Sequence, residues 1–417
     1  MTEEPGALLR PITLGRLTLP GRLFRAATSE TRATPEGLIG PEYLAHYEPI
    51  ARGGTPLIIT GNMYTSRKGR STPRQAGADH DGTLPGLRAL ARTVHQHGSR
   101  VVVQLSHAGR QLLPPAVDVS EAVSASAVKD LFTGTRPRPL DVDEIEQIVR
   151  DFADAAARCQ EAGADGVQIH AGHGYLISQF LTPYTNRRDD RYGGSPERRA
   201  TLLVEVLDAV RARVGPEYLV MVKLNGSDAL PLRRGLGPDE LVGMAALAER
   251  HGADAVEVSV GHYESGFPVV RGTFGRSLRN FAHGAGRHLP LLRRLGLRLG
   301  WPVAALVCNL AWKPREGFNL AYARRFKRAV GIPVLCVGGF RTRRAMERAI
   351  DEGSCDAVTV SRGFLADPYL WRHLRDGTGG PRCVDCNACV GHIGTLPVDC
   401  YHPDVRRERD AMLQRES

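Results

Sequence analysis

Eight times along the chain, a short unbroken apolar run is followed by a stretch of helical periodicity. The runs are Leu23 to Thr28, Leu57 to Thr60, Val101 to Leu105, Val167 to Ile169, Leu219 to Leu224, Ala255 to Val260, Val334 to Val337 and Ala357 to Val360. The helical stretches fall at 41–53, 84–97, 143–161, 196–213, 238–251, 319–329, 342–352 and 367–375. A run without polar alternation predicts a parallel strand covered on its outer face. Strand and helix in regular alternation predict an α/β fold. Eight such units close a TIM (β/α)8 barrel, which takes roughly 250 residues and passes about 400 when it carries insertions. A doubly wound sheet shares the rhythm, so periodicity alone leaves both open.

Three segments lie outside the repeat. Ile12 to Leu19 alternates about a glycine and predicts a short hairpin ahead of the barrel. An insertion follows the sixth strand at about 263–316, and a Cys-rich tail follows the eighth helix. The expected organisation is therefore a barrel over 1–380 and a C-terminal segment over 381–417. Within the insertion, 289–312 is apolar but broken by Arg293, Arg294 and Arg298, and the remainder is too short to span a bilayer. A loop after a barrel strand opens on the active-site face, so this segment reads as a lid or as a helix on the rim. Contact with a membrane surface is a third reading.

In a TIM barrel, chemistry collects at the C-terminal ends of the strands. Polar and glycine residues stand at most of those ends: Ala27-Thr28, Gly61, Gln104 with His107, His170 with His173, Lys223 with Asn225, Gly338-Gly339 and Ser361-Arg362. The densest stretch follows the fourth strand, where His170, His173 and Tyr175 occur within six residues. Two donors able to hold an oxygen, beside a phenol able to give a proton, suit a site that polarises a carbonyl. The plain alternative is a satisfied core histidine and a packing tyrosine.

The same stretch continues as Ser178-Gln179-Phe180-Leu181-x-Pro183, Thr185-Asn186-x-Arg188 and Asp190-x-Tyr192-Gly193-Gly194-Ser195. In this it resembles the old yellow enzyme family of flavin-dependent ene-reductases. The likeness runs from about Leu14 to the Cys-rich end and is weakest over 263–316. It is nearest to the bacterial branch that includes the barrel domains of 2,4-dienoyl-CoA reductase and trimethylamine dehydrogenase. With the count of eight, the resemblance favours the barrel. It implies bound FMN, with NAD(P)H as co-substrate. Ala27, Thr28 and Gly61 would let the isoalloxazine approach, and Gln104 would bond its pyrimidine edge. Lys223 would place positive charge near N1, where many relatives have arginine. Gly338, Gly339, Ser361 and Arg362 would hold the phosphate. His170 and His173 would hold the oxygen of an α,β-unsaturated carbonyl while Tyr175 protonates its α-carbon. Arg25-Ala-Ala-Thr-Ser-Glu30 lacks the cysteine that one branch uses to tune the flavin. A flavin dehydrogenase or demethylase running in the oxidative direction keeps the same site, and an electron-transfer module keeps the fold.

Four of the eight cysteines form Cys383-x2-Cys386-x2-Cys389-x10-Cys400. Such spacing fits a 4Fe-4S cluster or structural zinc, with free thiols as the remaining reading. Gly391 and Gly394 allow the return loop to the fourth cysteine. Longer relatives carry a cluster in the corresponding place, with one more residue between the second and third cysteines. A cluster here would be a port for a separate redox partner. Cysteine usage points to a reducing, cytoplasmic setting. The net charge of +10 comes mostly from scattered arginine, without a dense basic block interleaved with aromatics. That argues against nucleic acid and suits anionic ligands such as phosphates or a CoA ester. The first 15 residues lack the pattern of a secretory signal. A homo-oligomer is compatible with everything above.

Overall fold

The computed structural model describes residues 6–112, 121–131, 133–265, 268–289, 291–392 and 395–416. Eight parallel strands close into a barrel: β1 (Leu23–Arg25), β2 (Leu57–Ile59), β3 (Arg100–Ser106), β4 (Gly166–His170), β5 (Leu219–Asn225), β6 (Ala255–Ser259), β7 (Val334–Val337) and β8 (Ala357–Val360). Neighbours in sequence are neighbours in space, and the pairing of β8 with β1, Val360 opposite Arg25, completes the circle. The expected runs match these strands to within a few residues. β1 stops soonest, before the chain turns out at Ala26.

Alternation along each strand divides the interior from the exterior. Outward residues such as Ile58, Val101, Val103, Ile169, Val222, Val256 and Val358 are buried under the surrounding helices. Inward residues form layers. The lowest layer is apolar: Phe24, Leu57, Ile59, Val102, Leu219, Met221, Ala255, Leu335 and Ala357. The hairpin, Ile12–Leu14 against Leu17–Leu19, seals it from below with Ile12, Leu14 and Leu19. Two residues further along the strands the interior turns polar: Gln104, Gln168, Lys223, Glu257 and Thr359, all buried. Two further again, His170, Asn225, Ser259 and Ser361 stand at the mouth. The site is thus the third storey of a structure whose first is a sealed apolar plug.

The helices have local causes. Val142–Glu161 opens on a capping box, in which Asp141 accepts from the Glu144 amide while Glu144 reaches back to the Asp141 amide. Arg138 grips the Glu144 carboxylate at 2.7 Å and, with burial opposing, pulls its pKa down to about 2. The stretch expected at 196–213 is two helices, Pro196–Arg199 and Thr201–Val214, breaking at Ala200.

Among its described residues the insertion has two α-helices, Gly275–His283 and Leu291–Ala311, which meet through Phe274, Leu278 and Ala305. Its first part reaches the barrel mouth. The long helix packs behind and turns Leu292, Leu299, Val303, Leu306 and Leu310 outward. No helix among the described residues is long and apolar enough to cross a membrane. After the eighth barrel helix, Leu370–Asp376, the Cys-rich segment folds back over the mouth and ends in the helix Pro403–Glu416. Gly394 lies outside the described residues.

Candidate active site

A cavity opens at the C-terminal ends of the strands. Its walls include Ala27, Thr28, Gln104, His170, His173, Tyr175, Lys223, Gly339, Ser361 and Arg362. Most of the residues expected from sequence therefore converge. Gly61 and Gly338 are not among the lining residues. A Cβ on Gly61 would come within 2.4 Å of the Thr28 carbonyl oxygen, and its amide donates to Glu30 and to the Tyr47 hydroxyl. Gly61 therefore serves close packing behind the wall. Gly338 packs against Asn319, where an added Cβ would sit 3.2 Å from that backbone nitrogen. Gly339 does face the cavity, at a φ of +69° that favours glycine. His107, also expected near the mouth, is buried and takes the Gly109 amide on Nδ1 at 3.0 Å.

His170 ends β4, and the turn Ala171–Gly174 then carries the chain into the short helix Leu176–Leu181, with Tyr175 at its N-cap. The His170 ring lies 5.1 Å from that of His173 and 4.7 Å from that of Tyr175. His173 adopts a φ of +57°, unusual for a residue with a side chain. Its amide donates to Asn225 Oδ1 at 3.1 Å, its carbonyl accepts from Gln111 Nε2 at 3.0 Å, and its Nε2 lies 2.7 Å from Ser259 Oγ. His170 Nδ1 accepts the Gly172 amide at 3.3 Å, which leaves Nε2 to carry the proton of the neutral ring. Burial, reinforced by His173 and Lys223, drives the His170 pKa well below the usual value. Burial, then the charges of Lys223 and His262, lowers His173 to about 3. Burial pushes the Tyr175 phenol up, so it stays protonated. The wall thus offers neutral imidazole donors and a phenolic proton.

The polar layer below is one connected network. Glu257 is fully buried, and its Oε1 accepts from Thr359 Oγ1 at 2.6 Å. Its Oε2 accepts from Gln168 Nε2 at 3.0 Å and pairs with Lys223 Nζ at 3.1 Å. Gln168 Oε1 in turn accepts from Gln104 Nε2 at 2.6 Å. Lys223, expected to place positive charge at the cavity, is thus paired with a buried carboxylate. Glu257, Ser259, His262 and Tyr263 were not legible as site residues, because β6 reads as one more apolar run. A glutamate within Ala-Val-Glu-Val-Ser-Val was the available signal, since an interior carboxylate requires partners. His262, on the segment after β6, bridges to the backbone of His173, and Tyr263 brings its hydroxyl to 3.4 Å from that of Tyr175.

At the opposite end of the cavity, Ser361 and Arg362 meet the Cys-rich segment. Asp385 pairs with Arg341 at 2.6 Å and with Arg362 at 3.2 Å, and Asn387 Oδ1 also accepts from Arg362. Cys383 and Cys389 line the cavity nearby. The four thiols Cys383, Cys386, Cys389 and Cys400 are all free. Burial pushes Cys389 up to about 12, eased by Arg362 and reinforced by the other three thiols, so the four are electrostatic neighbours. Among the described residues, no group of three or more His, Cys, Asp or Glu is arranged to hold a metal ion.

Residues 7–272 match the NADH:flavin oxidoreductase / NADH oxidase family. The chain belongs to that family. Its TIM barrel is of the old yellow enzyme type. An NADH oxidase of Thermoanaerobacter brockii is 32% identical over 395 residues, which are 94% of this chain and 54% of the relative. A 4,4'-dithiodibutanoate disulfide reductase of Rhodococcus erythropolis is 31% identical over 429 residues, covering 100% and 99%. Among solved structures, a complex of 2-naphthoyl-CoA reductase with 2-naphthoyl-CoA superposes with a TM-score of 0.81 at 25% identity, over 97% of this chain and 58% of that one. The chain spans about half the length of several curated relatives that it matches. The residues present fit the flavin of this family. Gln104, whose Nε2 donates to Gln168, lines one cavity with Lys223, Gly339, Ser361 and Arg362, an amide, an ammonium and a glycine–serine–arginine end suited to a ring edge and a phosphate.

Proposed function

We propose that this oxidoreductase uses FMN to carry reducing equivalents from NAD(P)H to the C=C bond of an α,β-unsaturated carbonyl compound. The observation that carries the reading is the shared wall of His170, His173 and Tyr175, two neutral imidazoles beside a protonated phenol. FMN, when bound, supplies the hydride that the β-carbon receives. The protein does the rest. His170 Nε2–H donates to the carbonyl oxygen, and the His173 imidazole stands beside it. Charge that builds on that oxygen meets donors already aligned, so little reorganisation is needed. Tyr175 gives its proton to the α-carbon, and a raised phenol pKa keeps that proton available across neutral pH. Ala27 and Thr28 line the cavity beside Gln104 and Lys223, where they would bound the isoalloxazine.

An anionic tail on the substrate suits the rim. Arg187, Arg233 and Arg234 surround a second cleft beside Tyr184, whose ring lies 5.9 Å from His262. A CoA ester has phosphates of the right charge for such a cleft. The Cys-rich segment supports a second cofactor, a 4Fe-4S cluster on Cys383, Cys386, Cys389 and Cys400 serving a separate reductase. Its thiols must lose their protons and close up around the metal, because they are not preassembled.

Anaerobic half-reactions test the reading. Purified protein should be yellow and release FMN. NADH or NADPH should bleach it, and an enone or enoyl-CoA should restore the colour. Bleaching by a saturated ketone or an amine would reverse the direction. Colourless protein that binds no added FMN would end the proposal. Iron and acid-labile sulfide in anaerobic preparations test the cluster, and stoichiometric zinc without iron would reject it.

A further inference from the structure

We propose that Glu257 is the positioning residue that sets the hydrogen-bond polarity of the cavity floor, and with it the chemical edge that a flavin must present there. The proposal rests on the flavin reading above and goes beyond it.

An ionised carboxylate accepts and cannot donate. Gln168 must therefore turn its Nε2 toward Glu257, as the 3.0 Å contact has it. That fixes the Gln168 amide, whose Oε1 now faces Gln104 as an acceptor. Gln104 must answer with its own Nε2, at 2.6 Å. Gln104, which lines the cavity, keeps its Oε1 as an acceptor and the second proton of its Nε2 for a ligand. Two side-chain amides, each free in principle to flip, are locked in one sense by a carboxylate two residues away in the chain of bonds. A ligand edge that brings an N–H to that oxygen answers the orientation that Glu257 sets. The N3–H of a flavin's pyrimidine ring is such a group.

The same carboxylate sets the charge beside that edge. Lys223 Nζ lies 3.1 Å from Glu257 Oε2, and both side chains are almost wholly buried. The pair presents to the cavity an ammonium whose charge is largely balanced behind it. Thr359 anchors the other oxygen at 2.6 Å and so prevents the carboxylate from swinging toward the ligand. Glu257 itself does not line the cavity, so it acts through Gln104 and Lys223 rather than on the cofactor.

Two variants separate the two consequences. Glu257→Gln replaces an obligate acceptor by an amide that can relay in either sense and leaves Lys223 without its carboxylate. Gln168→Met breaks the relay to Gln104 but keeps the Glu257–Lys223 pair. Dissociation constants are measured by quenching of flavin fluorescence for FMN and for N3-methyl-FMN, which lacks the donor. Midpoint potentials of bound FMN are measured against a reference dye. Wild-type protein should bind N3-methyl-FMN at least tenfold more weakly than FMN. Both variants should narrow that ratio to threefold or less. Only Glu257→Gln should raise the potential, by a tenfold or greater shift of the oxidised-to-reduced ratio, which is about 30 mV for a two-electron couple. A merely structural role would lower stability and leave the ratio where it was. If Glu257→Gln does not fold, the Gln168→Met ratio decides. Wild-type discrimination retained in Gln168→Met would overturn the relay, and an unchanged potential in a folded Glu257→Gln would overturn the charge setting. Wild-type protein that binds neither flavin would instead overturn the flavin reading itself.

Discussion

Tyr175 is the residue whose loss should be felt in only one half of the reaction. Its phenol is held near His170 and Tyr263 and remains protonated, so Tyr175→Phe removes a proton and little volume. Reoxidation of reduced enzyme by an enone should slow by about 10²–10⁴-fold, as is usual for a lost general acid. Reduction by NADH should change far less, and rapid-mixing measurements of each half separate the two. Equal slowing would make the tyrosine a packing residue. The imidazoles give a second expectation. Burial first, then nearby positive charge, holds His173 at about 3, and burial, then Arg110, holds His262 at about 3. Affinity for a neutral ligand such as cyclohex-2-enone should therefore stay flat from pH 8 to pH 5, and a midpoint near 6.5 would contradict this. Stability should behave otherwise. Below about 6.5 the unfolded chain takes up protons that the folded chain refuses. The stability tied to these two histidines is thus complete above that pH and is lost as pH falls toward 3. Denaturant titrations at pH 7 and pH 5 should show it.

At the scale of elements, the helix Val142–Glu161 lends itself to a simple test. Asp141→Ala removes half of its capping box, leaves the Glu144 amide without its acceptor, and should cost about 1 kcal/mol in urea unfolding. The Glu144 carboxylate is held at about 2 by Arg138, so its contribution is present above about 4.5 and fades as pH drops through 2. The elements were also the most legible part of the sequence, for a physical reason. Outward strand residues such as Val222 and Val358 are covered by helices, and the lowest inward layer is apolar too, so most strands show no polar face in their first half. The turn after β4 was legible because His170, His173 and Tyr175 are adjacent in the chain. The partnership of His173 with Ser259, and of Tyr175 with Tyr263, was not, since it joins segments about 90 residues apart. Gly61 misled for the opposite reason. A glycine after a strand signals close approach, but the sequence does not say to what, and here the neighbours are Thr28 and Glu30.

For the molecule as a whole, the Cys-rich segment is tied to the barrel. Leu365, Cys389 and Val398 pack together, Arg409 donates to the Leu365 carbonyl at 3.1 Å, and Asp385 sits between Arg341 and Arg362. A chain ending at residue 380 should therefore melt at least roughly 5 °C lower, since burying each large apolar side chain is worth about 1.5–3 kcal/mol. Scanning fluorimetry of the shortened protein checks it, and an unchanged melting temperature would make 381–417 an independent appendage. The polar interior layer has a consequence of another kind, for the exchange of parts between relatives. β/α units are often treated as cassettes that can be shuffled one at a time. Here β3, β4, β5, β6 and β8 each contribute one member of a single bonded set, Gln104, Gln168, Lys223, Glu257 and Thr359. A crossover inside that arc hands a carboxylate to a strand that lacks its amide, or an ammonium to one that lacks its carboxylate, at the expense of an unpaired charge in the barrel's centre. Breakpoints before β3 leave all five members of that set on one side of the cut. The inherited block in this barrel is then the arc from β3 to β8, and chimeras cut on either side of β2 should survive where those cut between β4 and β6 do not.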